Sequence, residues 1–278
     1  MELFEEVFHR LNIYDKLYFN VKAVLEFPTL NILKEQNPAL YERWKYMVRN
    51  KYHTEARAYA NDWNINITAS ELNEESAASD IYKEKAVYHP EFCKIIAITY
   101  GTLYPKDNGE IGRNLKKIIN DDEYTIIATF MDVLHQLSSD AINSSPQHFL
   151  TFCGHNITNY DIPLLLKRYV LHRSKFIENQ KLIPLMLKKC LSAKPWDSGI
   201  VDTVNVWKFG GNNYETLMLI ADFLQIKKTV DVQAMPEMSR EYWNKFASSP
   251  HDAQEYVALQ SATQTNLAMK LMIELRQL

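Results

Sequence analysis

Glycine is scarce in this sequence: 278 residues contain only 7, and none falls in a GxGxxG or Walker A pattern. Phosphate-cradling nucleotide folds, which need glycine where the backbone meets the phosphates, are not expected on that ground. Cysteine is scarcer still. Cys93, Cys153 and Cys190 are far apart, without CxxC or Cys/His spacing, which argues against a zinc site or a disulfide framework and leaves buried, reduced thiols. No run reaches the roughly 18 apolar residues of a membrane span, and the start MELFEEVFHRLN carries acids where a signal peptide is basic. The expectation is therefore a cytoplasmic protein with no membrane partner. A formal net charge of −3 gives no global attraction to nucleic acid, so any such binding needs a local basic patch.

What is present is ordinary for a globular chain: 46% hydrophobic and 23% charged residues, enough to bury a full core. Residues 14–25 (YDKLYFNVKAVL) are rich in β-branched and aromatic types and stop before Pro28, which predicts a buried central strand. Residues 38–60 carry apolar positions at helical spacing behind Pro38, and 61–80 reads as a polar loop or loosely attached insertion. Two strands, 92–104 and 110–119, flank an Asp107-Asn108-Gly109 turn and predict a hairpin. Asp121 or Asp122 caps a following helix; a short strand at 148–153 precedes a helix at 160–172. Further helices are expected at 182–189 and 214–224, a short strand at 200–203, and a long helix over 252–275. This order predicts an α/β fold with a mixed β-sheet flanked by helices, a single domain over 1–278 with a partly helical insertion at about 28–90.

Three separated segments, LYFNVKAV, CGHNITNYDIPLLLKR and EYVALQSATQTNLAMKL, follow one another in a familiar order, with PEFCKIIAITYG and KPWDSGIVDTVNVWKFG between them. Together they resemble the 3′-5′ exonucleases related to the proofreading domain of family B DNA polymerases, a branch of the ribonuclease H-like DEDD superfamily. The resemblance covers about residues 15–275 and implies a ribonuclease H-like fold. It also implies four carboxylates around two divalent metal ions: two on the first strand, one in a middle helix and one on the last helix. Residues i and i+2 of a strand share a face, so both first-strand carboxylates reach one metal cluster. Two ions together activate water and stabilise the leaving oxygen in phosphodiester hydrolysis.

Carried onto this sequence, the first-strand positions are Asn20 and Lys22, the middle-helix position is Asp161, and the last is Gln260, with the supporting aromatic one turn earlier as Tyr256. Three of four ligands are gone. An intact site holds about −4, which two Mg²⁺ ions neutralise; here Asp161 and Lys22 cancel, and Mg²⁺ sheds its hydration too reluctantly for one carboxylate beside an ammonium. No metal and no other cofactor is expected, Mg²⁺ or Mn²⁺ being needed only if the chain is active. The expected arrangement has Lys22 reaching toward Asp161 in the cation's place, with Asn20 and Gln260 completing hydrogen bonds.

For binding of single-stranded DNA or RNA the candidates are Lys22, Asn156, Tyr160, Lys167 and Arg168. His172, Arg173, Trp207 and Lys208 add to a basic and aromatic mixture suited to stacking and phosphate contact. His155 and Asp202 read as structural hydrogen-bonders, and Asp231 and Asp252 as turn and cap residues. The leading expectation is a catalytically inactive exonuclease-like protein with a nucleic-acid-binding or regulatory role. The alternatives are a structural module that binds a protein partner, and an active exonuclease in which Asp161, Asp202 and Asp252 or Glu255 regroup around a metal.

Overall fold

A computed structural model describes residues 12–52, 74–144, 151–181, 183–184, 187–188, 190 and 199–276. The first strand, β1 (Lys16–Leu25), is buried at all ten positions, including the polar Lys16, Asn20 and Lys22. Two helices follow, α1 (Leu30–Gln36) and α2 (Pro38–Lys51), then α3 (Glu74–Lys85). Strand β2 (Cys93–Pro105) turns back as β3 (Ile111–Ile119), and α4 (Glu123–Ser144) leads to the short β4 (Thr151–Gly154). A π-type turn, Ile157–Asp161, opens α5 (Ile162–Leu171) and α6 (Arg173–Glu178). The chain ends through β5 (Ile200–Asp202), α7 (Thr203–Trp207), α8 (Leu217–Phe223), α9 (Met235–Phe246) and α10 (Pro250–Arg276).

The five strands form one mixed sheet in the order β3-β2-β1-β4-β5. β2 and β3 pair antiparallel from Ala97↔Ile119 to Pro105↔Ile111, so the Asp107-Asn108-Gly109 signal does close a hairpin; Gly109 supplies its left-handed residue at φ 81°. β4 runs parallel to both β1 (Tyr18↔Cys153) and β5 (Gly154↔Asp202). Gly154 is required by close approach. A Cβ there would lie 2.7 Å from the Phe19 carbonyl oxygen and 2.5 Å from Ile157.

By contacts the chain divides into two compact units. The first gathers Met1–Lys22, Ile95–Val232 and Gln254–Leu278, and the second Ala23–Lys94 and Gln233–Ala253. In the first, Phe19 packs against Phe152 (5.2 Å) and Phe130 (5.7 Å), and α10 contributes Leu267, Ala268 and Leu271 to a cluster with Leu217, Ile220 and Ala221 of α8. In the second, Trp44 is fully buried with its edge toward Tyr82 (5.4 Å) and Phe92 (5.0 Å), and its indole N–H donates to the Ala78 carbonyl at 2.9 Å. There α9 serves the end of β1: Ser239 accepts from the Leu25 N–H at 2.9 Å and the Trp243 indole donates to the Leu25 carbonyl at 3.0 Å.

Caps follow the sequence in most places. Asp122 receives the Thr125 N–H at the start of α4, and Asn37 receives that of Leu40 ahead of Pro38. Ser249, rather than Asp252, caps α10 by accepting the Asp252 N–H at 3.2 Å. The expected loop at 61–80 needs correction at its end, where Glu74 begins α3; residues 61–73 lie outside the described residues, as do 53–60, 148–150 and half of 182–189. Among the described residues no helix is long and apolar enough to cross a membrane. Cys93 and Cys153 are buried and Cys190 is half-buried, none of them in a disulfide.

Candidate functional site

The strand β1, the turn before α5 and the helix α10 meet within the first unit. The Asp161 side chain is 1% exposed and one of its oxygens accepts both the Val21 N–H at 2.6 Å and the Asn20 amide at 2.9 Å. From α10, Ser261 donates to the Asn20 carbonyl at 3.1 Å, which fixes the helix against the strand at this level. Gln260 is buried beside it on α10, and Tyr256 stands half-buried one turn earlier. The expected meeting of Asn20 with Asp161 is therefore present.

The expected contact of Lys22 with Asp161 is not. The Lys22 ammonium donates to Gln264 Oε1 at 2.7 Å, one turn beyond Gln260. The reason is geometric: two residues along a strand advance about 6.6 Å, which carries Lys22 past Asp161 and along α10. The Asp161 oxygen facing the strand already holds two donors from Asn20 and Val21. Lys22 acts on Asp161 through the low-dielectric interior instead of by contact. Burial lowers the lysine below its ordinary pKa, opposed by the charge of Asp161, and burial raises Asp161, opposed by the Val21 N–H and then by Lys22. The Asn20 side-chain amide oxygen is buried and, among the described residues, has no hydrogen-bond partner.

Asp202 is a loop-holding carboxylate. It accepts the N–H groups of Asn156 (2.8 Å), Thr158 (3.0 Å) and Val204 (3.1 Å), which ties the turn before Asp161 to the end of β5. Asn156 sits in the left-handed region at φ 63°, and its side chain receives the Asn159 amide at 3.0 Å. His155 lies between Thr203 Oγ1 at 2.9 Å and the Glu215 carbonyl at 3.1 Å; burial lowers its pKa and keeps the ring neutral. Both residues hold structure, as their sequence context implies. Among the described residues no group of three or more His, Cys, Asp or Glu side chains is placed to hold a metal ion.

Arg168 needs correction as a strand-binding candidate. Its guanidinium is buried, 3% exposed, and forks onto the buried carboxylate of Glu123 at 2.5–3.0 Å. The same carboxylate accepts the Ile95 N–H at 2.6 Å and faces His172 Nε2 at 2.8 Å. Lys22, likewise buried and held by Gln264, has no head group to offer a phosphate. Lys167 is exposed, and Tyr160 and Asn156 are half-buried. Gln264 was not singled out in the sequence, although its place one turn after Gln260 on the same helix face was available as a signal.

Several aromatic side chains occur in the segment after β5. Tyr214 is 54% exposed, its ring 6.2 Å from that of His155; burial raises its pKa, and so do Asp202 and Asp161. Trp207 lies 5.9 Å from Phe209 and 6.1 Å from Phe223, both of which are exposed. Phe209 holds φ 46°, an uncommon conformation for a bulky residue. A scan of protein-family models, a search of curated proteins and a search of solved structures each returned no match to this chain.

Proposed function

We propose that this protein is a ribonuclease H-like, exonuclease-type scaffold whose metal centre has been replaced by an internally satisfied polar cluster, and that it binds single-stranded nucleic acid without cleaving it. The observation that carries this reading is the environment of Asp161. A hydrolytic pair of divalent ions needs several anionic oxygens. Here the one carboxylate is engaged by an amide and a backbone N–H, and the nearby ammonium is held by another amide. The convergence of β1, Asp161 and α10 on one place supports the family resemblance, because those are the segments that bring its ligands together.

Strand binding is supported by the exposed rings of Phe209 and Phe223 around Trp207, with Lys208 next to them in the chain, by the exposed Tyr214 ring beside His155, and by Lys167, exposed on α5. Stacking on aromatic faces combined with phosphate contacts is how single strands are held with little sequence preference. The test is fluorescence anisotropy with a labelled single-stranded oligonucleotide at two salt concentrations. Binding is expected to weaken as salt rises and to fall in Phe209→Ala/Phe223→Ala. No binding at low salt would contradict strand binding and favour a protein-interaction module. Nucleotide release from a 3′-labelled strand with Mn²⁺, lost in Asp161→Ala, would contradict the non-catalytic half.

A further inference from the structure

A second site stands apart from Asp161, and it does not depend on the strand-binding reading. Within the first unit, the hairpin end, the segment after α8 and the last turns of α10 enclose an open cleft of about 550 Å³. Three separate elements each bring a cation to it: Arg113 from β3, Lys227 from the segment after α8, and Lys270 from α10. Gln225, in the left-handed region at φ 55°, turns the chain out of α8 just before Lys227. Arg113 donates to the Asn266 amide oxygen at 2.9 Å, and the Lys270 ammonium is anchored on the Lys227 carbonyl at 2.5 Å. Their hydrogen bonds thus go to neutral acceptors.

Two carboxylates, Glu110 and Glu274, also line the cleft. Glu110 is paired with Lys106 at 2.9 Å, and Asp222 and Asp231 both bind Lys228, at 2.6 and 2.9 Å. Glu274 is exposed on the rim. The helix C-terminus does not account for Lys270, because the basic residue of the last turn of α10 is Arg276. Half-buried Lys270 is held below its ordinary pKa by burial and then by the charges of Arg113 and Lys227, the mark of like charges facing one another.

We infer that this cleft binds a phosphate group carrying more than one negative charge, with Arg113, Lys227 and Lys270 as its ligands. A multivalent anion converts their mutual repulsion into attraction, and guanidinium and ammonium groups both hydrogen-bond phosphate oxygens. The volume lies in the range of about 300–1,000 Å³ usual for small-ligand sites. The phosphate belongs either to a free small phosphate compound or to the end of a nucleic-acid strand.

Titration calorimetry of the full chain with pyrophosphate at low ionic strength tests the site. Saturable binding is expected, weakened about tenfold or more in Arg113→Gln/Lys270→Gln, since loss of charge-assisted hydrogen bonds costs that much. Lys270→Arg should retain it, and Lys116→Gln, an exposed change outside the cleft on the same strand, should leave it unaltered. Circular dichroism confirms that each variant is folded. No saturable heat in the millimolar range, or equal loss in Lys116→Gln and the double variant, overturns the assignment. Displacement of pyrophosphate by a 5′-phosphorylated but not a 5′-hydroxyl oligonucleotide identifies the strand end as the source; displacement by neither identifies a free phosphate compound.

Discussion

Asp161 and Glu123 are both buried carboxylates in the same compact unit, and their surroundings drive them in opposite directions. Burial opposes the charge of each. At Glu123 that cost is overcome by hydrogen bonds from His172 and Arg168, the Arg168 charge and the Ile95 N–H, so its pKa falls below the ordinary carboxylate range. At Asp161 the Val21 N–H and the charge of Lys22 do not suffice, and the pKa rises. The lesson is that a guanidinium in contact stabilises a buried carboxylate where an ammonium held off by a glutamine does not. Glu123 is held charged by groups in contact with it, whereas the burial of Asp161 is not offset by its surroundings.

The largest effect should come from breaking the Glu123 cluster. Arg168→Leu leaves a buried carboxylate without its cation and should cost about 3–5 kcal/mol in urea denaturation. A loss under about 1 kcal/mol would mean that Arg168 is not what holds Glu123 charged. Gln264→Leu comes next. It removes the acceptor for the Lys22 ammonium and should cost about 1–3 kcal/mol, whereas Lys22→Met, which removes the charge itself, should be near neutral. Equal losses would show that Lys22 is stabilised by its setting.

The smallest effect lies in the pH dependence. Glu123, with its pKa lowered on folding, contributes stability that is present above the unfolded glutamate pKa of about 4.3 and is lost as pH falls through the folded value. Asp161, with its pKa raised, contributes in the other sense: its stabilisation is full below the unfolded aspartate pKa of about 3.9 and is lost as pH rises through the folded value. Denaturation midpoints measured across the acid range should therefore lose their low-pH decline in Glu123→Gln. In Asp161→Asn the decline toward neutral pH should flatten. If both variants changed the same limb, the contrast between the two carboxylates would fail.

Much of the fold could be read from the sequence where one element satisfies a local pattern. β1, the β2–β3 hairpin and α10 appear within a few residues of the expected places, because a β-branched run, an Asp-Asn-Gly turn and helical periodicity are all local signals. The helix α9 was not legible. Its place is set by Ser239 and Trp243 meeting the backbone of Leu25, more than 200 positions away in the chain. At the site, the absence of carboxylates at Asn20, Lys22 and Gln260 could be read residue by residue, and so could the pairing of Asn20 with Asp161. The choice of Gln264 by Lys22 depended on strand rise against helix pitch. The burial of Arg168 depended on Glu123, 45 residues earlier, and on no local signal.

The central claim is that a metal centre has been replaced, and Mn²⁺ binding followed by electron paramagnetic resonance tests it most directly. The wild-type chain should bind no more Mn²⁺ than Asp161→Ala. Asn20→Asp/Lys22→Glu/Gln260→Asp, which restores the carboxylates, should gain a site that Asp161→Ala abolishes. Mn²⁺ bound by the wild-type chain and lost in Asp161→Ala would contradict the account.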